Sequence, residues 1–356
     1  MPVTWLEPRD LEPYRLLDAE GRLVSDGERV PMDDEFLLEG LRLMHLSRAV
    51  DRRASAMQRQ GRWGVYSPAT GQEAAIVGSA MALDPARDWI VPQYRELAAV
   101  VHHGMPLDRI VAAYVGKVSA ASIPDGVNVL PTQVALAAQL PQAAGLAWGL
   151  RLQRRDGVVL AYVGEGGSSE GDFHEACNLA GVTRAPVVFL LQNNQWAIST
   201  PRRRQSAAPT LAARAPGYGF PGAFVDGNDL LAVHAVTRQA VERARAGEGP
   251  TLIEALTYRM SFHNTTDNPE RYVEREELEA AARRDPLARV ERFLAEAGML
   301  DDVRRSELVA SVESDLSDAI DRALAYPANR PGDLFDGIYA RPPKRLQRQR
   351  AELPPA

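Results

Sequence analysis

Apolar positions along the chain follow two rhythms, and they alternate. EFLLEGLRLMHLSRAVDRRASAMQRQGR (35–62) has helical spacing and ends near Gly61, and GQEAAIVGSAMAL (71–83) predicts a second helix, rich in small residues. DWIVPQYRE (88–96) predicts a short buried strand leading into a helix. KVSAASIPDGVNVLPT (117–132) reads as irregular, with turn signals at Pro124-Asp125-Gly126, and QVALAAQLPQAAGLAWGLRLQRR (133–155) as one long alanine-rich helix. VVLAYVG (158–164) is apolar at consecutive positions, as in a parallel strand covered on both faces. A helix, DFHEACNLAGVTR, and a further strand, APVVFLLQNN (185–194), complete a βαβ unit. GAFVDGND (222–229) predicts a strand. The helix LLAVHAVTRQAVERARAG follows, capped by Asn228 or Asp229 and stopping near Gly247, and PTLIEALTYRM (250–260) predicts another strand.

This alternation predicts an α/β fold with a doubly wound, mostly parallel sheet. Residues 1–35, Pro-rich and acidic, read as an extended arm with a short hairpin around Asp18–Leu23. Residues 36–285 read as the α/β domain, 286–340 as a C-terminal helical extension and 341–356 as a basic tail, solvated or partner-bound. A length of 356 residues allows a sizeable core, and 45% hydrophobic with 25% charged residues is ordinary for a globular protein. The net charge of −6 argues against nucleic-acid binding. The single cysteine, Cys177, permits no intrachain disulfide and fits a reducing cytosol; it reads as a small buried hydrophobe. No apolar run approaches the ~20 residues of a membrane span, and the N-terminus has no signal-peptide pattern. The expected location is therefore cytoplasmic.

The chemistry concentrates after VVLAYV, where the chain reads GEGGSSEGD (164–172). A glycine-rich turn at a strand end usually cradles phosphate, yet Glu165 in its middle would repel one. The turn has no G-K-[ST] and no glycine at the third position of G-x-G-x-x-G, so it is neither a P-loop nor a dinucleotide fingerprint. In open α/β sheets, ligands bind beyond the carboxyl ends of the strands. Glu165 lies at one such end and Asn193-Asn194 at the next, so a carboxylate and an amide oxygen can meet there. Hard oxygen donors suit Mg²⁺ or Ca²⁺, and Mg²⁺ typically completes its shell with phosphate oxygens and water. The expectation is that Glu165 holds a divalent cation and the cation holds a diphosphate. A purely structural glycine turn is the competing reading.

Gly-acid-Gly followed some thirty residues later by Asn-Asn resembles the thiamine-diphosphate enzymes. VGEGGSSEGDFHEACNLAG, QNNQWAISTP, VDGNDLLAVHA and GPTLIEALTYR resemble the alpha subunit of heterotetrameric 2-oxo acid dehydrogenases. QRQGRWGVYSPATGQEAA, PQYRE and IPDGVNVLP extend the resemblance over about residues 10–340. It implies thiamine diphosphate and Mg²⁺ as cofactors, with the cation held by Glu165, Asn194 and the carbonyl of Trp196. Tyr94, Arg95 and Gln192 are implied at the diphosphate, Gly164, Gly166 and Gly167 at close backbone approach, and Leu136 beside the aminopyrimidine ring. His263 is implied as the catalytic loop histidine, with Asp267 and Tyr272 in the same loop. The implied partners are a beta subunit, giving an alpha2-beta2 heterotetramer with the activating glutamate on beta, and an acyltransferase core whose lipoyl group accepts the acyl product.

The resemblance leaves the substrate open. IPDGVNVLP and GDFHEACNLAG point to pyruvate; GEG, the N-terminal arm and PGYG lean towards branched-chain 2-oxo acids, and acetoin is a third possibility. Pyruvate is the main expectation. Gln192 stands where some relatives carry Arg, so one diphosphate contact is expected to be lost. Val273 replaces an Arg after the loop tyrosine. Asn264 and Glu274 stand where mitochondrial relatives are phosphorylated, and Gln133 and Ala138 where branched-chain relatives bind potassium; neither property is expected here. A non-catalytic interaction subunit and a stand-alone transketolase-like enzyme are the rival functions. The second would need an internal activating glutamate and a further domain.

Overall fold

A computed structural model describes residues 12–24, 33–336 and 339–353. Its centre is a parallel sheet of β1 (Trp89–Val91), β2 (Val159–Gly164), β3 (Val187–Asn193), β6 (Gly222–Asp226) and β7 (Thr251–Leu256), in the order β1-β2-β3-β7-β6. Between β3 and β6, β4 (Trp196–Ala197) and β5 (Thr200–Pro201) form a small antiparallel hairpin that the hydrophobic pattern did not reveal.

The continuous apolar runs have the expected cause. Leu160, Tyr162, Val188, Leu190 and Ile253 face one side of the sheet, with α1 (Asp34–Arg59), α2 (Glu73–Ala80) and α7 (Leu230–Arg245). Their neighbours Val159, Ala161, Val187, Phe189 and Leu252 face the other, with α5 (Gln139–Leu152) and α6 (Gly171–Thr183). Both faces are dry, so each residue of β2 and β3 contributes burial, at roughly 1.5–3 kcal/mol per large apolar side chain. Cys177 is buried in this second layer, where desolvation pushes its thiol up to about 12 and leaves it inert.

Around this core lie α3 (Leu97–His102), α4 (Leu107–Tyr114), α8 (Arg275–Ala282), α9 (Pro286–Glu296) and α10 (Asp302–Leu324), and α11 (Lys344–Ala351) lies within the basic tail. The tail, expected to be solvated or partner-bound, is thus partly helical, and its helix has no buried residue. The segment 117–132 is irregular except for one helical turn at 118–120, and Val129 pairs with Ile90 at the sheet edge.

One helix boundary needs correction. The helix expected over 133–155 begins only at Gln139. Ala137 has φ of 63°, a left-handed conformation that no helix continues through, and the Gln139 side chain donates to the Tyr162 carbonyl at 2.7 Å. Residues 133–138 are therefore loop, and Leu136 is not a helical residue.

The N-terminal hairpin forms as expected. Leu17 pairs with Leu23, and Gly21 makes the turn with φ of 88°. Asp229 is the cap of α7: Oδ1 accepts from Leu231 and Ala232 at 3.0 Å each, and Oδ2 accepts from Leu16 and Leu17 at 2.7 and 2.6 Å. Tyr14 pairs with Val225 along the outer edge of β6. Residues 1–11 and 25–32 of the arm lie outside the described residues, and its last residues, Asp34 and Glu35, belong to α1.

Candidate functional site

The strands end in register. Gly164 pairs with Gln192, and Asn193 with Leu256, so β2, β3 and β7 release their chains along one line. Beyond that line opens a cleft of about 1040 Å³. All eleven site residues expected from the sequence line it: Tyr94, Arg95, Leu136, Gly164, Glu165, Gly166, Gly167, Gln192, Asn194, Trp196 and His263.

Glu165 forms the floor. It is 2% exposed, and its Oε2 accepts from the Asn194 backbone N–H at 3.2 Å. Its Oε1 has no hydrogen-bond partner. Burial pushes its pKa up; the Asn194 N–H and the charge of Arg259 oppose this more weakly. A cation beside Oε1 would favour the carboxylate form. Asn194 is oriented by two bonds: its Oδ1 accepts from Trp196 N at 3.2 Å, and its Nδ2 donates to Gln72 Oε1 at 3.0 Å. The Trp196 carbonyl accepts from Arg259 Nη1 at 3.4 Å. Among the described residues no cluster of three or more His, Cys, Asp or Glu side chains could hold a metal. The donor set at Glu165 is a single carboxylate with an amide and a carbonyl, the mixture that suits Mg²⁺ carrying anionic ligands of its own.

Gly166 and Gly167 are required by packing, whereas Gly164 has room for a Cβ. A Cβ on Gly166 would lie 2.6 Å from Ala197 Cβ, in the β4–β5 hairpin, and one on Gly167 would lie 2.8 Å from Val163 Cγ2. The Gly164 N–H donates to Gln93 Oε1 at 3.1 Å. Leu136 stands beside Gly167 at the mouth, 38% exposed. This is a cleft position rather than ordinary helix packing.

A wall of basic character faces the floor. Arg95 donates to the Pro68 carbonyl, and its Nη2 lies 3.0 Å from both His263 Nδ1 and the His263 carbonyl. The Tyr94 ring meets the His263 ring edge-on at 6.2 Å. Burial, then the charges of Arg95 and Arg259, push His263 down to about 4, with Asp267 opposing. Asp267 Oδ2 accepts from the His263 N–H at 2.7 Å and from the Tyr272 hydroxyl at 2.5 Å; Arg259 Nη2 donates to that hydroxyl at 2.6 Å. His263, Asp267 and Tyr272, grouped from the sequence, thus form one network whose fourth member, Arg259, the sequence reading missed. Val273 does not prevent its formation.

Gln192 has a definite task in place of the arginine of some relatives. Its Nε2 donates to Glu96 Oε1 at 2.5 Å, while Glu96 Oε2 accepts from the backbone of Gln93 and Arg95. Gln192 therefore secures the Tyr94–Arg95 turn, and its Oε1 is left without a partner.

Unpartnered atoms gather here. Gln72 Nε2, Gln93 Nε2, Glu165 Oε1, Gln192 Oε1 and Gln205 Oε1 are buried without hydrogen bonds, and all five residues line the cleft. Buried polar groups are normally satisfied, so such a concentration fits a polar ligand bearing both acceptors and a cation. Gln72, Gln93 and Gln205 carry no sequence signal of their own beyond proximity to the motifs.

The dehydrogenase E1 component family matches residues 41–332. The alpha subunit of the pyruvate dehydrogenase E1 component of Staphylococcus epidermidis is 40% identical over 339 residues, covering 95% of this chain and 91% of that relative. The corresponding subunit of Staphylococcus aureus is 39% identical over the same coverage.

Proposed function

The chain belongs to the dehydrogenase E1 component family, and from that premise we propose that it is the alpha subunit of an oxidoreductase that decarboxylates pyruvate and passes the acyl group to a lipoyl-bearing acyltransferase. The observation that carries the reading is the meeting of Glu165, with its unpartnered buried oxygen, and Asn194 at adjacent strand ends opposite the Arg95–His263 pair. The names of the relatives support pyruvate over branched-chain 2-oxo acids, because each is a pyruvate dehydrogenase subunit.

Bound thiamine diphosphate supplies a nucleophilic ring carbon and an electron sink that lets CO₂ leave. The chain's own residues do the rest. Glu165 and Asn194 Oδ1 would hold Mg²⁺, joined by the Trp196 carbonyl, which keeps a second lone pair beside its long bond from Arg259. Arg95 offers a guanidinium to the diphosphate, and Tyr94 walls that side. With its pKa lowered, the His263 imidazole is neutral at physiological pH; its Nδ1 accepts from Arg95, so Nε2 carries the hydrogen and can donate it to a group in the cleft.

The rim supports the partner reading. Val65, Val134 and Ile198 line the cleft and are 61%, 74% and 53% exposed. Apolar side chains around a polar cleft fit a surface that another subunit covers. We read that subunit as the beta chain, in an alpha2-beta2 assembly that completes the site with its activating glutamate. No helix among the described residues is long and apolar enough to cross a membrane; the cytoplasmic location is our own reading.

The test is decarboxylation by the co-expressed alpha and beta chains, wild type and Glu165→Ala, with an artificial electron acceptor. Pyruvate and 3-methyl-2-oxobutanoate are compared by kcat/KM. Activity that requires thiamine diphosphate, Mg²⁺ and Glu165, and that favours pyruvate, is the expected outcome. An assembled complex that binds no cofactor would leave the chain a non-catalytic interaction subunit.

A further inference from the structure

Gln72 is fully buried, yet it lines the cleft, and its two amide atoms have different fates. Oε1 accepts from Asn194 Nδ2 at 3.0 Å, whereas Nε2 has no partner. The Asn194 amide could face either way. Two bonds select one orientation: Trp196 N–H to Oδ1, and Nδ2 to Gln72. Reversing the amide would set Nδ2 against the Trp196 N–H and Oδ1 against Gln72 Oε1, placing donor on donor and acceptor on acceptor.

The position of Gln72 is itself fixed from several sides. Gly71 before it has φ of 94°, and a Cβ there would lie 2.2 Å from the Tyr258 carbonyl oxygen. The Gly71 carbonyl accepts from Thr257 Oγ1 at 2.5 Å, and the Thr70 carbonyl from Met260 N at 3.1 Å. On the other side the buried carboxylate of Asp51, in α1, accepts from Tyr66, Ala69 and Thr70. The Gln72 N–H donates to Ala69 at 2.8 Å. So rigid a support for an amide whose Nε2 faces a cleft without a partner is the arrangement of a preorganised donor.

We propose that Gln72 is a positioning residue that holds Asn194 Oδ1 towards the cation and presents its own Nε2–H to the anionic ligand of the cleft. The proposal rests on the reading of Glu165 and Asn194 as cation ligands. It extends that reading to a residue one layer out, where substitutions typically change metal affinity by about 10–100-fold.

Two variants of the co-purified alpha–beta complex separate the two roles. Gln72→Met removes both the acceptor and the donor. Gln72→Glu keeps an acceptor for Asn194 but replaces the donor with negative charge. The measurements are the affinity for thiamine diphosphate, from quenching of tryptophan fluorescence, the Mg²⁺ concentration for half-saturation, and the Tm of the cofactor-free complex. Gln72→Met should weaken thiamine diphosphate binding about 10-fold or more and raise the Mg²⁺ requirement, with Tm unchanged. Gln72→Glu should weaken thiamine diphosphate binding while leaving the Mg²⁺ requirement at or below that of wild type. The proposal is overturned if Gln72→Met binds within twofold of wild type, or if both variants lose affinity only in step with a lowered Tm. Should the wild-type complex itself show no Mg²⁺-dependent binding, the cation reading fails and takes this proposal with it. Tight wild-type binding with an indifferent Gln72→Met overturns this proposal alone.

Discussion

The floor and the wall of the cleft are held by different means. Glu165 and Asn194 follow directly from β2 and β3, strands with dry packing on both faces and a shared ladder. Their positions are set by the main chain and by Gly166 and Gly167, where a Cβ would collide with Ala197 or Val163. The wall, 261–273, has no strand within it. It is held mainly by side chains, Asp267 to the His263 N–H, Tyr272 to Asp267 and Arg259 to Tyr272, joined by the main-chain bond from Thr265 N to the Tyr66 carbonyl at 3.0 Å. Structure borrowed from a sheet resists the loss of any one side chain. A wall built from charged and hydroxyl groups depends on each member and responds to the charge of whatever occupies the cleft.

The sharpest test of that contrast is Glu165→Ala. Removing the floor's carboxylate should, on the proposed reading, lower cofactor-dependent turnover on the order of 10³-fold, from lost electrostatic stabilisation of several kcal/mol. Limited proteolysis should cut the 261–273 segment no faster than in wild type. Asp267→Ala attacks the wall instead. It frees the His263 N–H and the Tyr272 hydroxyl together, and displacement of the loop should cost roughly 10²-fold in kcat/KM. Here proteolysis within 261–273 should speed up while thiamine diphosphate binding survives; loss of binding as complete as in Glu165→Ala would erase the distinction. Tyr272→Phe removes a single link between Arg259 and Asp267, about 1–1.5 kcal/mol, and should cost roughly tenfold.

The smallest effect is a titration. His263 lies near 4, below its ordinary 6.5, because of burial and then of Arg95 and Arg259. Between these values the unfolded chain holds more protons at this residue than the folded one, so its contribution to stability rises with pH across that window. His234, buried in α7 and also near 4, acts in the same sense, so His263→Gln should flatten the profile only in part. On the proposed reading, a diphosphate beside Arg95 would offset the guanidinium charge. Thiamine diphosphate should therefore move the His263 imidazole resonance midpoint upward in an NMR titration; an unmoved midpoint would separate His263 from the ligand.

The same contrast explains what the sequence disclosed. β2 and β3 were legible because a strand buried on both faces must be apolar throughout, and the turn after β2 announced its glycines and its acid. The alanine-rich stretch at 133–138 misled because its composition favours a helix. Val134 and Leu136 instead face the cleft, and Ala137 adopts a left-handed turn that nothing in its side chain advertises. Arg259 reads as the trailing end of a strand; its partners Trp196 and Ile198 lie more than sixty positions away, and only the folded chain brings them together. Gln72 and Gln93 are ordinary amides in sequence, and only burial without a partner distinguishes them.

The clasp formed by Asp229 and the N-terminal hairpin bears on how the chain is made. Arg289, in α9, closes it from the far side, donating to the carbonyls of Leu17 and Asp18 and to Asp226. The bonds to the hairpin residues Leu16, Leu17 and Asp18 join positions more than 200 apart. During synthesis the first twenty residues leave the ribosome long before Asp229 or Arg289 exists. The outer edge of β6, which Tyr14 covers in the finished protein, has its own lock only once residue 289 has emerged. Until then the arm rests on that edge through Tyr14 and Asp229, and wherever it lifts off, the nascent chain shows an open sheet edge, the kind of surface that chaperones and neighbouring chains compete to bind.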